Sequence, residues 1–291
     1  MRAIAFWMAG GAGALAGLAL VALAATLGVW RPGIRLRARR VVGVVGVVLV
    51  VLSAVPLPPS WCGAAVLALV GWFAAERRGS VVPGRGRAAA TLLAVAAVVG
   101  VALELPWRRD PALPAVRHVR LVVIGDSLAA GTGRGETTWP KLVARHHGVP
   151  LDDYSQEGAL VRHAVRAVAR EPLPEDALVV VEIGGNDLLV GRDGATGFAR
   201  DFEDLLARLA GPHRTVVVLE LPLPPFAQAI GAAQRRIAVA HGALLVPRRH
   251  LAAVLADAAG TLDGLHLDDR GHATLAQRLS ELIGPLLVAE R

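Results

Sequence analysis

Apolar residues follow two rhythms along the 291-residue chain. Up to about residue 107 they form long unbroken runs separated by arginine clusters. Beyond it they form short Val- and Leu-rich blocks that alternate with amphipathic stretches. An α-helix needs roughly 20 consecutive apolar residues to cross the hydrocarbon core of a bilayer. The first rhythm therefore predicts an all-α transmembrane region over residues 1–107, with helices at 3–29, 41–57, 61–75 and 88–106. The two middle arms flank the Pro-rich turn Leu57-Pro58-Pro59-Ser60 and are at or below spanning length, so that pair either crosses twice or re-enters.

The second rhythm predicts strands at Val119–Ile124, Leu151–Ser155, Ala177–Ile183, Thr215–Leu221 and Ala243–Val246. Helices are expected at Trp139–His147, Ala159–Ala169, Phe198–Ala210, Phe226–His241, His250–Ala258 and His272–Val288. Five strands rich in Val and Leu, each followed by a helix, imply a parallel sheet covered on both faces. Right-handed crossovers then give a three-layer α/β/α sandwich with a five-stranded parallel sheet, whose functional edge lies at the carboxyl ends of the strands. The charged, Pro-bearing segment 108–117 reads as a short stiff linker ahead of this domain, 118–291.

Composition sharpens the division. The chain is 54% hydrophobic with a net charge of +7. Residues 1–117 carry 13 Arg against 3 acids, while residues 118–291 carry 18 Lys and Arg against 21 acids, so the basic excess lies entirely in the front part. Arginines between apolar runs read as a topology signal rather than a nucleic-acid surface. The positive-inside rule puts Arg31, Arg35, Arg37, Arg39 and Arg40, and also Arg77, Arg78, Arg85 and Arg87, in the cytoplasm. The last helix then ends outside, which makes the chain a multi-pass protein of the cytoplasmic membrane with an extracytoplasmic α/β domain. Trp30, Trp61, Trp72 and Trp107 fall near predicted helix ends, where indoles favour the interface. The single cysteine, Cys62, excludes an intrachain disulfide.

Chemistry-bearing residues gather at one sheet edge. Ser127 follows the first strand in Gly125-Asp126-Ser127-Leu128, Gly158 follows the second, Gly184-Gly185-Asn186-Asp187 follows the third, and Asp263-Gly264-Leu265-His266 precedes the last helix. A serine hydroxyl needs a general base within hydrogen-bond reach, and His266 is the candidate. Asp263 can hold the imidazole tautomer and stabilise the imidazolium. No metal or cofactor is needed for these steps. His146, His147, His163, His213, His241 and His250 lack metal-ligand spacing. Gly131, Gly133 and Gly135, with Arg134 and Glu136, form a loop that either gates the cleft or is solvent-exposed slack. Pro222, Pro224 and Pro225 form a second rim loop. The G-x-S-x-G elbow of the α/β-hydrolases is absent.

At these blocks, and from about Val119 to Leu287, the chain resembles the SGNH, or GDSL, hydrolase superfamily. Trp139-Pro140 and Val181-Glu182-Ile183 ahead of the glycine pair look most like its bacterial arylesterase, lysophospholipase and thioesterase I group. In the second block Asp153 stands where the family has Asn, and Leu160 where it has a small hydroxyl residue. The resemblance implies a flavodoxin-like sandwich, a Ser127–His266–Asp263 triad and an oxyanion hole built from the N–H groups of Ser127 and Gly158 and the Asn186 amide. Asp126, Gly184 and Asp187 are supporting residues, with Asp187 a hydrogen-bonding or helix-terminal carboxylate and His272 packed beneath the catalytic loop. The expected function is a membrane-anchored serine esterase acting on a lysophospholipid, a short acyl ester or an acetylated envelope glycan. The bilayer is its partner, and nucleic acid is not. An envelope-polysaccharide O-acetyltransferase and a non-catalytic membrane subunit are the alternatives.

Overall fold

The computed structural model describes residues 1–30, 36–77, 83–133, 135–171, 173–190 and 194–289. Arg31, Arg35, Arg78 and Arg134 lie outside the described residues. The chain divides into two compact units, one of Met1–Gly10, Arg109–Pro222 and Ala229–Arg291, the other of Gly11–Arg108 and Leu223–Gln228.

The helical unit contains four long helices, which follow a short first helix α1 (Arg2–Ala9): α2 (Ala12–Trp30), α3 (Leu36–Leu52), α4 (Pro59–Arg77) and α5 (Pro83–Glu104). Its core is formed by Leu18, Val21, Ala24 and Ala25 of α2, Trp72 of α4 and Ala90, Leu93 and Ala97 of α5. Trp72 is 1% exposed, so it serves as a core residue and not as the interfacial anchor expected of it. Helices α2 and α3 cross at Gly17 and Gly46, where an added Cβ on Gly17 would sit 2.4 Å from the Gly46 carbonyl oxygen. Residues 86–108 form a helix long and apolar enough to cross a membrane, with a mean hydropathy of 2.2. The run expected as one helix over 3–29 is instead broken at Gly10–Gly11 and bent by 79°. The reason is tertiary: α1 packs in the α/β unit, not with α2.

The α/β unit is built on five parallel strands in the order β2-β1-β3-β4-β5: β1 (Leu121–Gly125), β2 (Leu151–Asp153), β3 (Ala177–Glu182), β4 (Arg214–Leu219) and β5 (Leu244–Val246). Every residue of β1 and β3 is buried. That explains why they are runs of apolar residues, interrupted only by Glu182 at the end of β3, and not alternating ones. Leu121, Val123, Leu178, Val180, Val217 and Leu219 point to one face, where they pack with residues of α7 (Trp139–His147), α12 (Arg249–Ala256) and α13 (Asp269–Ile283). Val122, Ile124, Val179 and Val181 point to the other and are equally inaccessible. The remaining helices of the unit are α6 (Ser127–Ala130), α8 (Val161–Arg170), α9 (Gly185–Val190), α10 (Gly194–Leu209) and α11 (Gln228–Ala240). Helices α6 and α9 are not in the sequence expectation; the Gly-Asp-Ser and Gly-Gly-Asn-Asp turns themselves open short helical turns.

Chain order reverses at β1, which has β2 on one side and β3 on the other. In doubly wound sheets the crevice at this switch point, at the carboxyl ends of the strands, is where ligands bind. Gly184 makes the turn out of β3. Its φ is +119°, and an added Cβ would lie 2.8 Å from Phe198 and 2.9 Å from Leu221. Both backbone strain and overpacking oppose any side chain there. Gly184→Ala should therefore destabilise the α/β unit by about 2–4 kcal/mol, read as a lowered thermal midpoint of the full chain in detergent. An unchanged midpoint would show that the turn relaxes freely.

Candidate active site

The end of β1 sets the first half of the site. Gly125 pairs with Glu182 of β3, and the Asp126 N–H donates to the Glu182 carbonyl at 3.1 Å. The chain then turns into α6, with the Asp126 carboxylate accepting from the Leu128 N–H at 3.1 Å as the helix cap. Ser127 opens α6 and is 9% exposed. Its N–H makes no hydrogen bond among the described residues, as expected for a first-turn donor.

The second half is the loop between Gly260 and Asp268. Its base is closed by a Thr261–Leu267 bridge and by the Leu262 N–H donating to the His266 carbonyl at 2.9 Å. Asp263 organises its interior. Oδ1 accepts from the Leu265 and His266 N–H groups, both at 2.9 Å, and Oδ2 lies 2.6 Å from His266 Nδ1. The His266 N–H and ring, then the Leu265 N–H, hold this carboxyl well below the usual carboxylate range even though its side chain is 56% exposed. An ionised carboxylate can only accept, so Nδ1 carries the proton and the Nε2 lone pair of the neutral ring is free to act as a base. The ring is 31% exposed. Ser127 and His266 are not hydrogen-bonded to each other in this conformation. Catalytic contacts of this kind often tighten only when substrate binds.

Gly158, in the loop after β2, is exposed, and its N–H is likewise unpaired among the described residues. The Gly-Gly-Asn-Asp turn pins the neighbouring chain. Asn186 Nδ2 donates to the Ala159 carbonyl at 3.1 Å, and Asp187 Oδ2 accepts from the Val161 N–H at 3.0 Å, at the start of α8. Asn186 uses one amide hydrogen in this way and retains a second. Burial pushes the Asp187 carboxyl up, partly offset by that N–H.

Asp126 joins these parts electrostatically. Its carboxyl is raised from 3.8 to about 6, chiefly by burial and against the donors Leu128 and Gly185, with His266 close enough for the imidazolium charge to be felt. Directly behind it, Glu182 is fully buried with neither carboxyl oxygen hydrogen-bonded, and burial together with the Asp126 charge holds it protonated well above the ordinary range. Glu182 is absent from the sequence expectation as a site residue; the signal was a lone acid in the run Ala177–Ile183. His272 accepts the Trp139 N–H at 3.2 Å and is completely buried, which lowers its pKa. In the glycine loop Glu136 accepts from both the N–H and the hydroxyl of Thr132, while Gly133 and Gly135 are exposed.

The Asp126 shift has a testable sign. Between about pH 4 and 6 the folded chain holds this proton more tightly than the unfolded chain, so its contribution to stability falls as pH rises through that window. Two pKa units correspond to about 3 kcal/mol. Asp126→Asn should therefore gain thermal stability relative to the parent between pH 4 and pH 7, measured on the full chain. A difference that does not change with pH would show that the carboxyl is ionised at its ordinary value.

Residues 123–274, slightly more than half of the chain, match the GDSL-like Lipase/Acylhydrolase family. Among solved structures, the psychrotrophic esterase EstA from Pseudoalteromonas sp., inhibited by monoethylphosphonate, is similar at 18% identity and a TM-score of 0.50, covering 57% of this chain and 97% of that one. TesA is similar at 24% identity and a TM-score of 0.50, covering 58% and 99%. No curated protein matches the chain. With three of its motif blocks at the ends of the strands and the α/β unit folded as in these relatives, the chain belongs to the GDSL-like lipase/acylhydrolase family of hydrolases that act on esters.

Proposed function

We propose that the chain is a membrane-anchored serine esterase in which Ser127 attacks the ester carbonyl, His266 accepts the hydroxyl proton through Nε2, and Asp263 orients the ring. The N–H groups of Ser127 and Gly158 and the second Nδ2 hydrogen of Asn186 then receive the oxyanion. His266 returns the proton to the leaving alcohol, and water activated by the same ring releases the acyl group. The observation that carries this reading is the Asp263 carboxylate bonded at once to His266 Nδ1 and to two N–H groups of its own loop, together with the Ser127 and Gly158 N–H groups, which have no acceptor among the described residues. Prepaid donors of this kind are worth most where charge develops.

Leu262 and Leu265 flank Asp263 and are exposed, as is Leu189 in α9. Apolar side chains on these loops favour a lysophospholipid or another acyl ester over an acetylated glycan. In the helical unit, Val44, Val45, Val48 and Val51 of α3, Val66, Leu67 and Val70 of α4, and Leu92, Val95 and Val98 of α5 are all exposed. An apolar exterior around an apolar core fits a lipid solvent and supports the anchor. On this reading residues 1–107 are the anchor, except that α1 stays with the α/β unit, and the esterase works on the extracytoplasmic side.

Full-length protein in detergent should hydrolyse p-nitrophenyl butyrate, and Ser127→Ala should lose activity by about 10⁴-fold or more. Asn186→Ala should lose about 10²- to 10³-fold in kcat. Equal rates for the parent and Ser127→Ala would overturn the mechanism. Protease added to intact spheroplasts should degrade the α/β unit, and its survival would reverse the orientation.

A further inference from the structure

Helix α1 reaches the proposed catalytic loop through one side chain. Arg2 donates from Nε and Nη2 to the Leu255 carbonyl at 3.1 and 2.6 Å, and from Nη2 to Thr261 Oγ1 at 2.5 Å and to the Gly264 carbonyl at 3.2 Å. The guanidinium also lies 5.7 Å from the Phe6 ring centroid, one turn along α1, and Phe6 packs against the core cluster that contains Leu251, Val254 and Leu255 of α12. Each acceptor has a different place. Leu255 is in the last turn of α12, where carbonyls lack helical partners and a cation is favoured. Thr261 is at the base of the loop, and Gly264 is at its tip between Asp263 and His266.

The contact at the tip matters most. The peptide joining Gly264 to Leu265 is held at both ends: its carbonyl accepts from Arg2, and its N–H donates to Asp263 Oδ1 at 2.9 Å. Gly264 has φ +105°, a conformation from which a glycine peptide rotates cheaply. On the Asp263 side that rotation is opposed by the Leu265 N–H bond it would break and by the adjacent His266 N–H bond to the same oxygen. With the carbonyl anchored to a guanidinium that is itself fixed at Leu255 and Thr261, the N–H stays aimed at Asp263, and the carboxylate stays aimed at His266.

We propose that Arg2 is a positioning residue of the esterase, locking the Gly264–Leu265 peptide so that Asp263 holds His266 in register with Ser127. This rests on the triad reading above. Arg2 touches neither substrate nor reacting atoms; it acts through the loop. A lysine cannot replace it fully, because it lacks the second donor, Nε–H, that fixes the plane of the group on the Leu255 carbonyl while Nη2 serves Thr261 and Gly264.

The test uses the full chain in detergent micelles with p-nitrophenyl butyrate, together with the rate at which a fluorophosphonate probe labels Ser127. Arg2→Gln should lower kcat by about 10- to 100-fold, the scale expected of a small misplacement of catalytic groups. KM should stay within about twofold of the parent, since loop register affects the reacting groups more than ground-state binding. The labelling rate should fall by the same factor as kcat, and Arg2→Lys should be intermediate. Thr261→Val, which removes one acceptor, should cause a smaller loss of kcat by itself and add little in the Arg2→Gln background, because the two act as a unit. Parental kcat and labelling rate in a folded Arg2→Gln protein would overturn the proposal, as would a loss confined to KM or additive losses in the double variant. If Arg2→Gln does not fold, an unchanged kcat in Thr261→Val overturns it. Failure of the triad reading is separately visible: Ser127→Ala would then remain active and unlabelled sites would account for the rate, whereas an inactive Ser127→Ala beside a fully active Arg2→Gln sinks the positioning role alone.

Discussion

The pairing of β1 with β3, in register from Leu121 opposite Leu178 to Gly125 opposite Glu182, is the constraint on which the α/β unit depends. It puts the two strand ends side by side at the switch point of the sheet, so the turn bearing Ser127 and the turn bearing Asn186 leave the same edge. The hydrogen bond from the Asp126 N–H to the Glu182 carbonyl carries that register one residue into the loop. It also brings two carboxyl groups together in a place without water. Both are pushed toward the protonated form, chiefly because burial penalises their charge.

The neighbouring carboxylate Asp263 goes the opposite way. Three donors within its own loop surround it, its side chain stays open to solvent, and it remains ionised far below the ordinary range. One site thus contains acids whose environments drive them apart, which is how a fold assigns different proton-handling roles to the same functional group. An anionic Asp263 suits a group that must accept from an imidazole. A largely protonated Glu182 adds little negative charge behind the Ser127 turn, while Asp126, raised to about 6, changes charge just below neutrality.

The division into units bears on how the anchor and the esterase are related. Ten residues at the start of the chain belong to the α/β unit, and the next hundred or so do not. The proposed anchor is therefore an insertion between two parts that pack together, and its first helix begins where Gly10 and Gly11 turn the chain away from α12. A fragment starting at the linker would omit α1, and with it the guanidinium that binds the tip of the catalytic loop.

Strands β1, β3 and β4 were legible because a sheet covered on both faces demands near-continuous Val and Leu, a pattern that survives without any knowledge of neighbours, whereas β2, Leu-Asp-Asp, is a half-buried edge strand. The Gly-Asp-Ser and Gly-Gly-Asn-Asp turns after β1 and β3, and the Asp-x-x-His spacing in the loop before α13, were legible because turn-forming and chemistry-bearing side chains stand out from apolar runs. Residues 3–29 read as one helix because uniformly apolar sequence has no mark of where its partner changes. Helix α6 was hidden because four residues hold no period, and Glu182 because one acid in an apolar run can equally end a strand at the surface. The role of Arg2 has no mark in the sequence, since the backbone carbonyls that receive it have no signature in any residue type. What the amino-acid order determined by itself was the local: periodicity, turn chemistry and the inventory of reactive groups. What tertiary structure alone decided was which groups lose their water and which carbonyls meet a distant donor, because burial and backbone contacts are properties of the packed chain and not of any segment in it.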